Sequence, residues 1–176
     1  MEYVALNYQV DPNHNTYSSD GYNYFKLFPN SRLSYNLGNQ DRISLFYNQR
    51  VDRPDEVDIR IFPKYDDAEI IKVGNPALKP QFTTSVEAGY KHAWTNGDLY
   101  AALYHKKTDG TITRIATRYG SDNLIYNVSQ NAGLSYNSGV EALLNQRLNP
   151  KFGILANLNV YRNTIEAFSV INKYPE

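Results

Sequence analysis

The sequence has no cysteine, and it has only one methionine and one tryptophan in 176 residues. Without cysteine, disulfide frameworks and thiolate zinc sites are excluded, although the absence fits both a reducing cytosol and many bacterial envelope proteins. The 18 Lys and Arg residues balance 18 Asp and Glu residues, so the chain lacks the basic surface of a nucleic-acid binder. These absences leave the compartment open and exclude a nucleic-acid partner.

Long hydrophobic runs are also missing, because no stretch of about 18 apolar residues predicts a transmembrane helix. The first residues, MEYVALNYQV, carry an acid and tyrosines where a signal peptide has a basic start and an apolar core. Mean hydropathy is −0.58, and the aromatic residues are 16 Tyr against 7 Phe and 1 Trp. We therefore expect either a cytosolic protein or a segment of a longer chain whose targeting signal lies outside this sequence.

What the sequence does contain is alternation with a period of two, which predicts β-strands. Between Phe82 and Trp94 one parity is apolar or aromatic and the other is polar, and Leu99–Lys107 alternates less cleanly. Further strands are predicted at Glu2–Val10, Ser31–Leu37, Arg42–Arg50, Gly139–Leu148 and Phe152–Thr164, with Ile125–Val128 as an optional one. The expected fold is all-β, an antiparallel up-and-down meander of about seven or eight long strands.

Short turns alternate with long connections along the chain. Asn96-Gly97 between two alternating runs is a strong hairpin signal, because both residues accept positive φ. Short turns are predicted at 38–41, 95–98 and 148–151, and long loops near 11–23, 51–80 and 108–124. Short turns on one rim and long loops on the other are typical of an outer-membrane barrel. We therefore predict that residues 1–176 form part of a transmembrane β-barrel.

Several short motifs occur in a fixed order along these predicted strands. They are Phe28–Tyr35, then Arg53-Pro54, then the segment Gly74-Asn75-Pro76-Ala77-Leu78-Lys79-Pro80, then Gly139-Val140-Glu141. Together they resemble the barrel of TonB-dependent outer-membrane receptors, particularly the Bacteroidetes-type outer-membrane β-barrel family. The resemblance covers roughly residues 1–165 and implies a C-terminal portion of a barrel of about 22 strands.

The segment 74–80 has a physical interpretation of its own. Its two prolines fix φ near −65° and push each preceding residue into extended geometry, while glycine and asparagine accept positive φ. We interpret the motif residues as a stiff entry from loop to strand, without a ligand role. They are Arg53, Pro54, Gly74, Asn75, Pro76, Leu78, Lys79 and Pro80.

The resemblance also implies a function and a location. It implies a bacterial outer-membrane receptor that imports a siderophore, cobalamin or an oligosaccharide, with the lipid bilayer as its surroundings. TonB and a plug domain would be partners only of the full-length protein. The resemblance implies no cofactor and no enzymatic activity.

The sequence contains few groups of residues that could form a catalytic or metal-binding site. His14, His92 and His105 lack metal-ligand spacing, although His92 and His105 could face each other across a hairpin, and no nucleophile elbow or glycine-rich phosphate loop occurs. The acidic run 52–69 could bind Ca²⁺, line a substrate vestibule or be a solvated loop. Candidate ligand-facing loop residues are Tyr17, Tyr22, Asp55, Asp58, Tyr65 and Tyr119.

The tyrosines and the polar parity of the strands leave alternatives open. Tyr90, Trp94, Tyr100 and Tyr104 would suit a periplasmic-side aromatic girdle, and the loop tyrosines could instead stack on sugars or an aromatic chelate. Glu87 with Lys91 and Glu141 with Asn145 would suit a wet lumen. A soluble all-β carbohydrate-binding module would also alternate. A small stand-alone outer-membrane barrel is the third possibility, and it requires closure between Glu2–Val10 and the final strand.

Overall fold

The computed structural model describes residues 1–6, 21–60, 64–65, 70–118 and 124–168. These residues form twelve strands and one short helix. The elements are β1 Glu2–Leu6, β2 Tyr22–Lys26, β3 Asn30–Asn36, β4 Asp41–Asp52, α1 Glu56–Ile59, β5 Lys64–Tyr65, β6 Ile70–Val73, β7 Gln81–Trp94, β8 Gly97–Asp109, β9 Ile112–Arg118, β10 Ile125–Asn131, β11 Leu134–Asn149 and β12 Phe152–Ile165. Within the described ranges, no helix is long and apolar enough to cross a membrane.

The largest unit is an antiparallel sheet of six strands in the order β12-β11-β8-β7-β4-β3. Its strands follow one another in space as hairpins, and three of the connections are short, at residues 37–40, 95–96 and 150–151. The strands β7, β8, β11 and β12 are 14, 13, 16 and 14 residues long, which exceeds the roughly 5–6 residues of an average globular strand. The antiparallel all-β class expected from the sequence is confirmed.

Register in this sheet separates an apolar face from a polar face. Directly paired residues share a face, so cross-strand rows can be followed from β3 to β12. Two central rows of the apolar face are Leu33, Leu45, Ala88, Leu103, Val140, Val160 and Tyr35, Ile43, Tyr90, Ala101, Ala142, Leu158. Leu33, Leu103 and Leu158 are 72%, 62% and 62% exposed. Nothing in the described chain covers this face.

Aromatic and polar residues bound the apolar face at both ends. His92 and Trp94 lie at the end with the short turns, and Tyr47, His105 and Tyr136 lie toward the other end. Trp94 and Thr84 are ten residues apart on one strand, about 33 Å at 3.3 Å per residue. A tilt of about 40° reduces that length to about 25 Å, the height of the apolar band in outer-membrane barrels.

A second sheet contains a small hydrophobic core. It has the order β5-β6-β10-β9, and β6 and β10 run parallel while the other pairs are antiparallel. Ile71 and Val73 of β6 pack against Tyr126 and Val128 of β10, each between 4% and 7% exposed. Parallel pairing requires a crossover connection, so the segment between β4 and β7 folds across to the segment between β8 and β11. Strands β1 and β2 form a separate hairpin.

The structure contains elements that the sequence pattern did not predict. The predicted long loops 51–80 and 108–124 contain α1, β5, β6 and β9, and β2 begins inside the predicted loop 11–23. These strands are two to seven residues long, too short for alternation to stand out. The first predicted strand, Glu2–Val10, is observed as Glu2–Leu6, and its remaining residues lie outside the described ranges.

Candidate functional site

The polar face of the six-stranded sheet carries the charged residues of the strands. Glu87, Lys91, Asp98, Glu141 and Asn159 all belong to cross-strand rows of this face. Lys91 Nζ lies 3.1 Å from Asp98 Oδ2. In a barrel wall, a face of this kind lines a water-filled interior.

Two tyrosines of β8 lie on the polar face above glycines of the neighbouring strands. The Tyr100 hydroxyl donates to Glu87 Oε1 at 2.7 Å, and Tyr104 donates to Asn159 Oδ1 at 3.1 Å. A Cβ on Gly89 would overlap the Tyr100 ring, and one on Gly139 would lie 2.6 Å from the Tyr104 hydroxyl. The glycines therefore leave the space in which the rings lie.

Two sequence-based expectations about these strands are wrong. Tyr100 and Tyr104 do not share a girdle with Tyr90 and Trp94, because Leu99 and Leu103 occupy the apolar parity of β8. The two histidines do not face each other, because His92 pairs with Leu99 while His105 pairs with Val86. His105 Nδ1 lies 2.7 Å from Ser138 Oγ, and its ring stacks on Tyr136.

The segment Gly74–Pro80 connects β6 of the second sheet to β7 of the six-stranded sheet. Gly74, Pro76, Leu78 and Pro80 are buried, and Leu78 is only 1% exposed, whereas the side chains of Ala77 and Lys79 face outward. A Cβ on Gly74 would overlap the backbone of Ile59 and Arg60. The Gly74 amide donates to Arg60 O at 2.9 Å. The close approach of two backbones explains why glycine stands here.

Two asparagines fasten this segment to β10. Asn75 Nδ2 donates to Ser129 O at 3.0 Å, and Asn75 Oδ1 accepts from the Ala77 amide at 2.9 Å. Asn131 Oδ1 accepts from the Lys79 amide, while its Nδ2 donates to the carbonyl oxygens of Lys79 and Gly110, all within 2.8–2.9 Å. The motif segment and the hairpin β9–β10 are thereby held as one unit.

Asp58 joins the same unit through its carboxylate. Its Oδ1 accepts from Ser129 Oγ at 2.8 Å and from Arg114 Nη2 at 3.1 Å, and its side chain is 19% exposed. Asp55 precedes α1, makes no side-chain capping bond and is exposed. Of these two acids in the predicted ligand-facing set, only Asp58 is engaged in a hydrogen-bond network among the described residues.

Arg53 of the predicted Arg-Pro motif ties the β1–β2 hairpin to the end of β4. Its Nη2 donates to the Tyr24 hydroxyl at 2.8 Å and also contacts the Glu2 carboxylate. The hydrogen bond to Tyr24, with the charge of Glu2 nearby, raises the pKa of the Arg53 guanidinium further above its usual range. Arginine stays protonated in proteins, so the contact with Glu2 is an ion pair whenever that carboxylate is ionised.

Aromatic rings reinforce this attachment. Tyr24 meets Phe82 edge to face with centroids 5.3 Å apart, and Phe28 stacks on Phe82 at 6.3 Å. Lys26 Nζ lies 3.8 Å from the centroid of the Phe82 ring. Such aromatic pairs contribute roughly 0.5–1.5 kcal/mol beyond their buried area, so the hairpin is held by packing as well as by charge.

The candidate ligand-facing residues are placed unevenly. Tyr22 lies on β2 with its ring stacked on Tyr24 at 6.2 Å. Tyr65 belongs to β5, and Tyr17 and Tyr119 lie outside the described residues, as does His14. Sequence reasoning missed Asn131, Ser129 and Arg114, which hold the loops together. Alternation does not mark residues whose partners lie more than fifty positions away in the chain, as Asn131 and Lys79 do.

A protein family and two solved structures are similar to this chain in sequence or in fold. The outer membrane protein beta-barrel family matches residues 1–174. The siderophore receptor PirA from Pseudomonas aeruginosa superposes with a TM-score of 0.68 at 13% identity, over 78% of this chain and 28% of PirA. The ferric enterobactin receptor PfeA, as its G324V mutant from the same organism, gives 0.58 at 14% identity, over 76% of this chain and 21% of PfeA.

At these identities the two solved structures show the fold alone, and the chain spans less than a third of either receptor. No curated protein matches the sequence. The family match extends over nearly the whole chain and confirms the family resemblance that the motifs indicated. The chain therefore belongs to the outer membrane protein beta-barrel family and is a protein of the bacterial outer membrane.

Proposed function

We propose that the chain is a wall and loop segment of a TonB-dependent receptor that imports a ferric siderophore. The observation that carries the proposal is the two-faced sheet, with an uncovered apolar side and a charged opposite side, in a chain of this family. A wall of this kind separates lipid from a wet passage. The two receptors that share the fold bind siderophores by their names, which favours a siderophore over cobalamin or an oligosaccharide.

The edges of the six-stranded sheet support a larger barrel. Strands β3 and β12 each have one neighbour in the described chain, and every residue of both strands is exposed. Unpaired backbone groups in lipid cost several kcal/mol each, so open sheet edges are not tolerated there. We infer that further strands of a longer protein pair with both edges.

The same features count against the two alternatives. The largest apolar patch of a soluble monomer is about 300–600 Å², whereas here the apolar face extends over six long strands, which disfavours a soluble carbohydrate-binding module. A stand-alone barrel would need β12 to pair with the first strand. In the described residues β1 pairs with β2 and β12 pairs with β11.

The loop unit at the end opposite the short turns is the proposed entrance. Short turns face the periplasm and long loops face outward in such barrels, so the hairpin β1–β2, the segment Gly74–Pro80 and β9–β10 would lie outside the cell. We propose that Tyr22 and Asp55, with Tyr17, Tyr65 and Tyr119, contribute to ligand binding. Asp58 would act by positioning β10. The chain itself supplies no chemical step, since transport of this kind changes no covalent bond.

Uptake by cells carrying the full-length protein tests the proposal. Radiolabelled ferric siderophores, cobalamin and an oligosaccharide are offered to a strain that lacks its own receptors, with and without TonB. We expect uptake of a ferric siderophore that stops when TonB is removed, while binding at the surface persists. Uptake of another ligand class would refute the siderophore assignment. Uptake that continues without TonB would refute the transport mechanism.

A further inference from the structure

The apolar face carries a hollow of about 530 Å³ near its centre. It is lined by small residues, among them Ala88 and Ala101, and by larger ones, among them Leu33, Leu45 and Leu103. The hollow extends from β3 across β4, β7 and β8 to Val140 of β11. Four interstrand steps of about 4.8 Å give it a length of about 19 Å across the strands.

A polar cluster lies next to the hollow on the same face, toward the short turns. The Tyr90 hydroxyl donates to Asp41 Oδ1 at 2.6 Å, and His92 Nδ1 lies 2.7 Å from the same oxygen. Trp94 lies beside His92, with ring centroids 5.7 Å apart. The Asp41 side chain is 35% exposed, and its Oδ2 has no hydrogen-bond partner in the part of the chain that the structure describes.

The hollow and the cluster form a continuous surface. Tyr90 belongs to both, because its ring lines the hollow while its hydroxyl reaches Asp41. Ile43, also in the lining, follows Asp41 by two positions on β4 and therefore points to the same side. An elongated molecule can thus lie in the hollow with one end at Asp41.

We propose that this surface binds a phospholipid with an amine headgroup, an acyl chain filling the hollow and the ammonium group at Asp41. The lining is apolar apart from Ser44 and the hydroxyl groups of Tyr35 and Tyr90, which suits a hydrocarbon chain. A carboxylate with a free oxygen attracts an ammonium group, and the faces of Trp94 and Tyr90 attract cations as well. An anionic headgroup would instead meet the Asp41 carboxylate and be disfavoured.

The position along the membrane normal fits this occupant. The cluster lies at the end of the strands joined by short turns, the periplasmic end in barrels of this kind. Its tryptophan and tyrosine lie where aromatic side chains meet headgroups. The inference rests on the location of the chain in the outer membrane and does not depend on the proposed transport of a siderophore.

Native mass spectrometry of the full-length protein in detergent provides the test. The delipidated wild type is titrated with phosphatidylethanolamine and, separately, with phosphatidylglycerol of the same acyl chains. We expect tighter binding of phosphatidylethanolamine by about threefold, the size of an exposed ion pair. Equal affinities, or a preference for phosphatidylglycerol, would overturn the proposal without any variant being needed.

Two variants separate the headgroup from the acyl chain. Asp41→Asn should abolish the preference between the two lipids, whereas Ala101→Leu should weaken both by filling the hollow. Asp109→Asn, at the opposite end of the same face, and Ala156→Leu, outside the hollow, serve as matched controls and should bind like the wild type. A preference that survives Asp41→Asn, or equal losses in Ala101→Leu and Ala156→Leu, would contradict the assignment.

Discussion

At the scale of single residues, Gly74 and Gly139 have to be glycine because other atoms occupy the space that a Cβ would take. At Gly139 the obstruction includes the backbone oxygen of Val160 at 2.7 Å, and at Gly74 it is the backbone of Arg60. Gly133 and Gly38 have no atom within 4 Å of such a Cβ. The same residue type is thus essential at some positions and replaceable at others.

Replacing Gly74 by alanine should loosen the docked loop. The added methyl must push α1 away from the segment Gly74–Pro80, and overpacking of this kind costs roughly 1–3 kcal/mol. Amide exchange at Gly74 and Asn75, whose amides donate to Arg60 O and Asp58 O, should therefore accelerate about tenfold. Hydrogen exchange of the full-length protein in detergent measures the effect.

Gly133→Ala is the matched control for this substitution, since its Cβ would enter open space. It should leave the exchange of Gly74 and Asn75 at the wild-type rate. Equal acceleration in both variants would show that the loss of glycine flexibility matters, and not the close approach of Gly74 to Arg60.

At the scale of the elements, the alternation of apolar and polar residues predicted individual strands well where the alternating run was long. The runs at 82–94 and 152–164 became β7 and β12, and the turn between β7 and β8 lies where Asn96-Gly97 favours a hairpin. Within these runs, the polar parity of Glu87 and Lys91 correctly separated one face from the other. Because a strand has a strict period of two, a few clear positions determine the orientation of all the others.

The contacts between elements could not be predicted in this way. Register within a hairpin follows from its turn, but the pairing of β6 with β10 joins segments more than fifty residues apart. It combines the hydrophobic core between the two strands with hydrogen bonds of Asn75, Asp58 and Asn131. The periodicity of a sequence does not indicate which distant residue a polar side chain will bond to. The motif Gly74–Pro80 was therefore recognised as a stiff segment and Ile125–Val128 as an optional strand, which is observed as part of β10, but the contact between the two was not predicted.

The attachment of the β1–β2 hairpin to the end of β4 can be tested by replacing Arg53. Arg53→Ala removes the donor to Tyr24 and the charge facing Glu2, and leaves the aromatic contacts of Tyr24 and Phe82 intact. Because exposed ion pairs contribute only about 0.2–1 kcal/mol, amide exchange in β1 and β2 should rise by about two- to fivefold. Hydrogen exchange detected by mass spectrometry resolves a change of this size.

Arg50→Ala provides the comparison. Arg50 contacts Asp52 on its own strand, its side chain is 63% exposed, and it makes no contact with the hairpin among the described residues. Its loss should leave β1 and β2 unchanged. Arg53→Lys should fall between the wild type and Arg53→Ala, because lysine keeps the charge but loses the planar fork.

At the scale of the whole molecule, the two faces of the six-stranded sheet require two different surroundings, lipid for one face and water for the other. The apolar rows would otherwise expose large side chains such as Leu103, 62% exposed, and Val160, 61% exposed, on a folded protein. The opposite rows would bury Glu87 and Glu141, and an unpaired charge in hydrocarbon is far more costly than one in water. Only a sheet with lipid on one side and water on the other satisfies both sets of residues.

This arrangement predicts an alternating pattern of lipid contact along β8. Since the chain has no cysteine, single substitutions Leu99→Cys, Tyr100→Cys, Ala101→Cys, Ala102→Cys and Leu103→Cys can each carry a fluorophore in the full-length protein. In vesicles with spin-labelled acyl chains, the probes at 99, 101 and 103 should be quenched strongly. The probes at 100 and 102 should keep most of their emission, because they face the interior. Uniform quenching would mean that the sheet lacks a wet side. Emission unaffected at all five positions would place the strand in water and revive the soluble alternative.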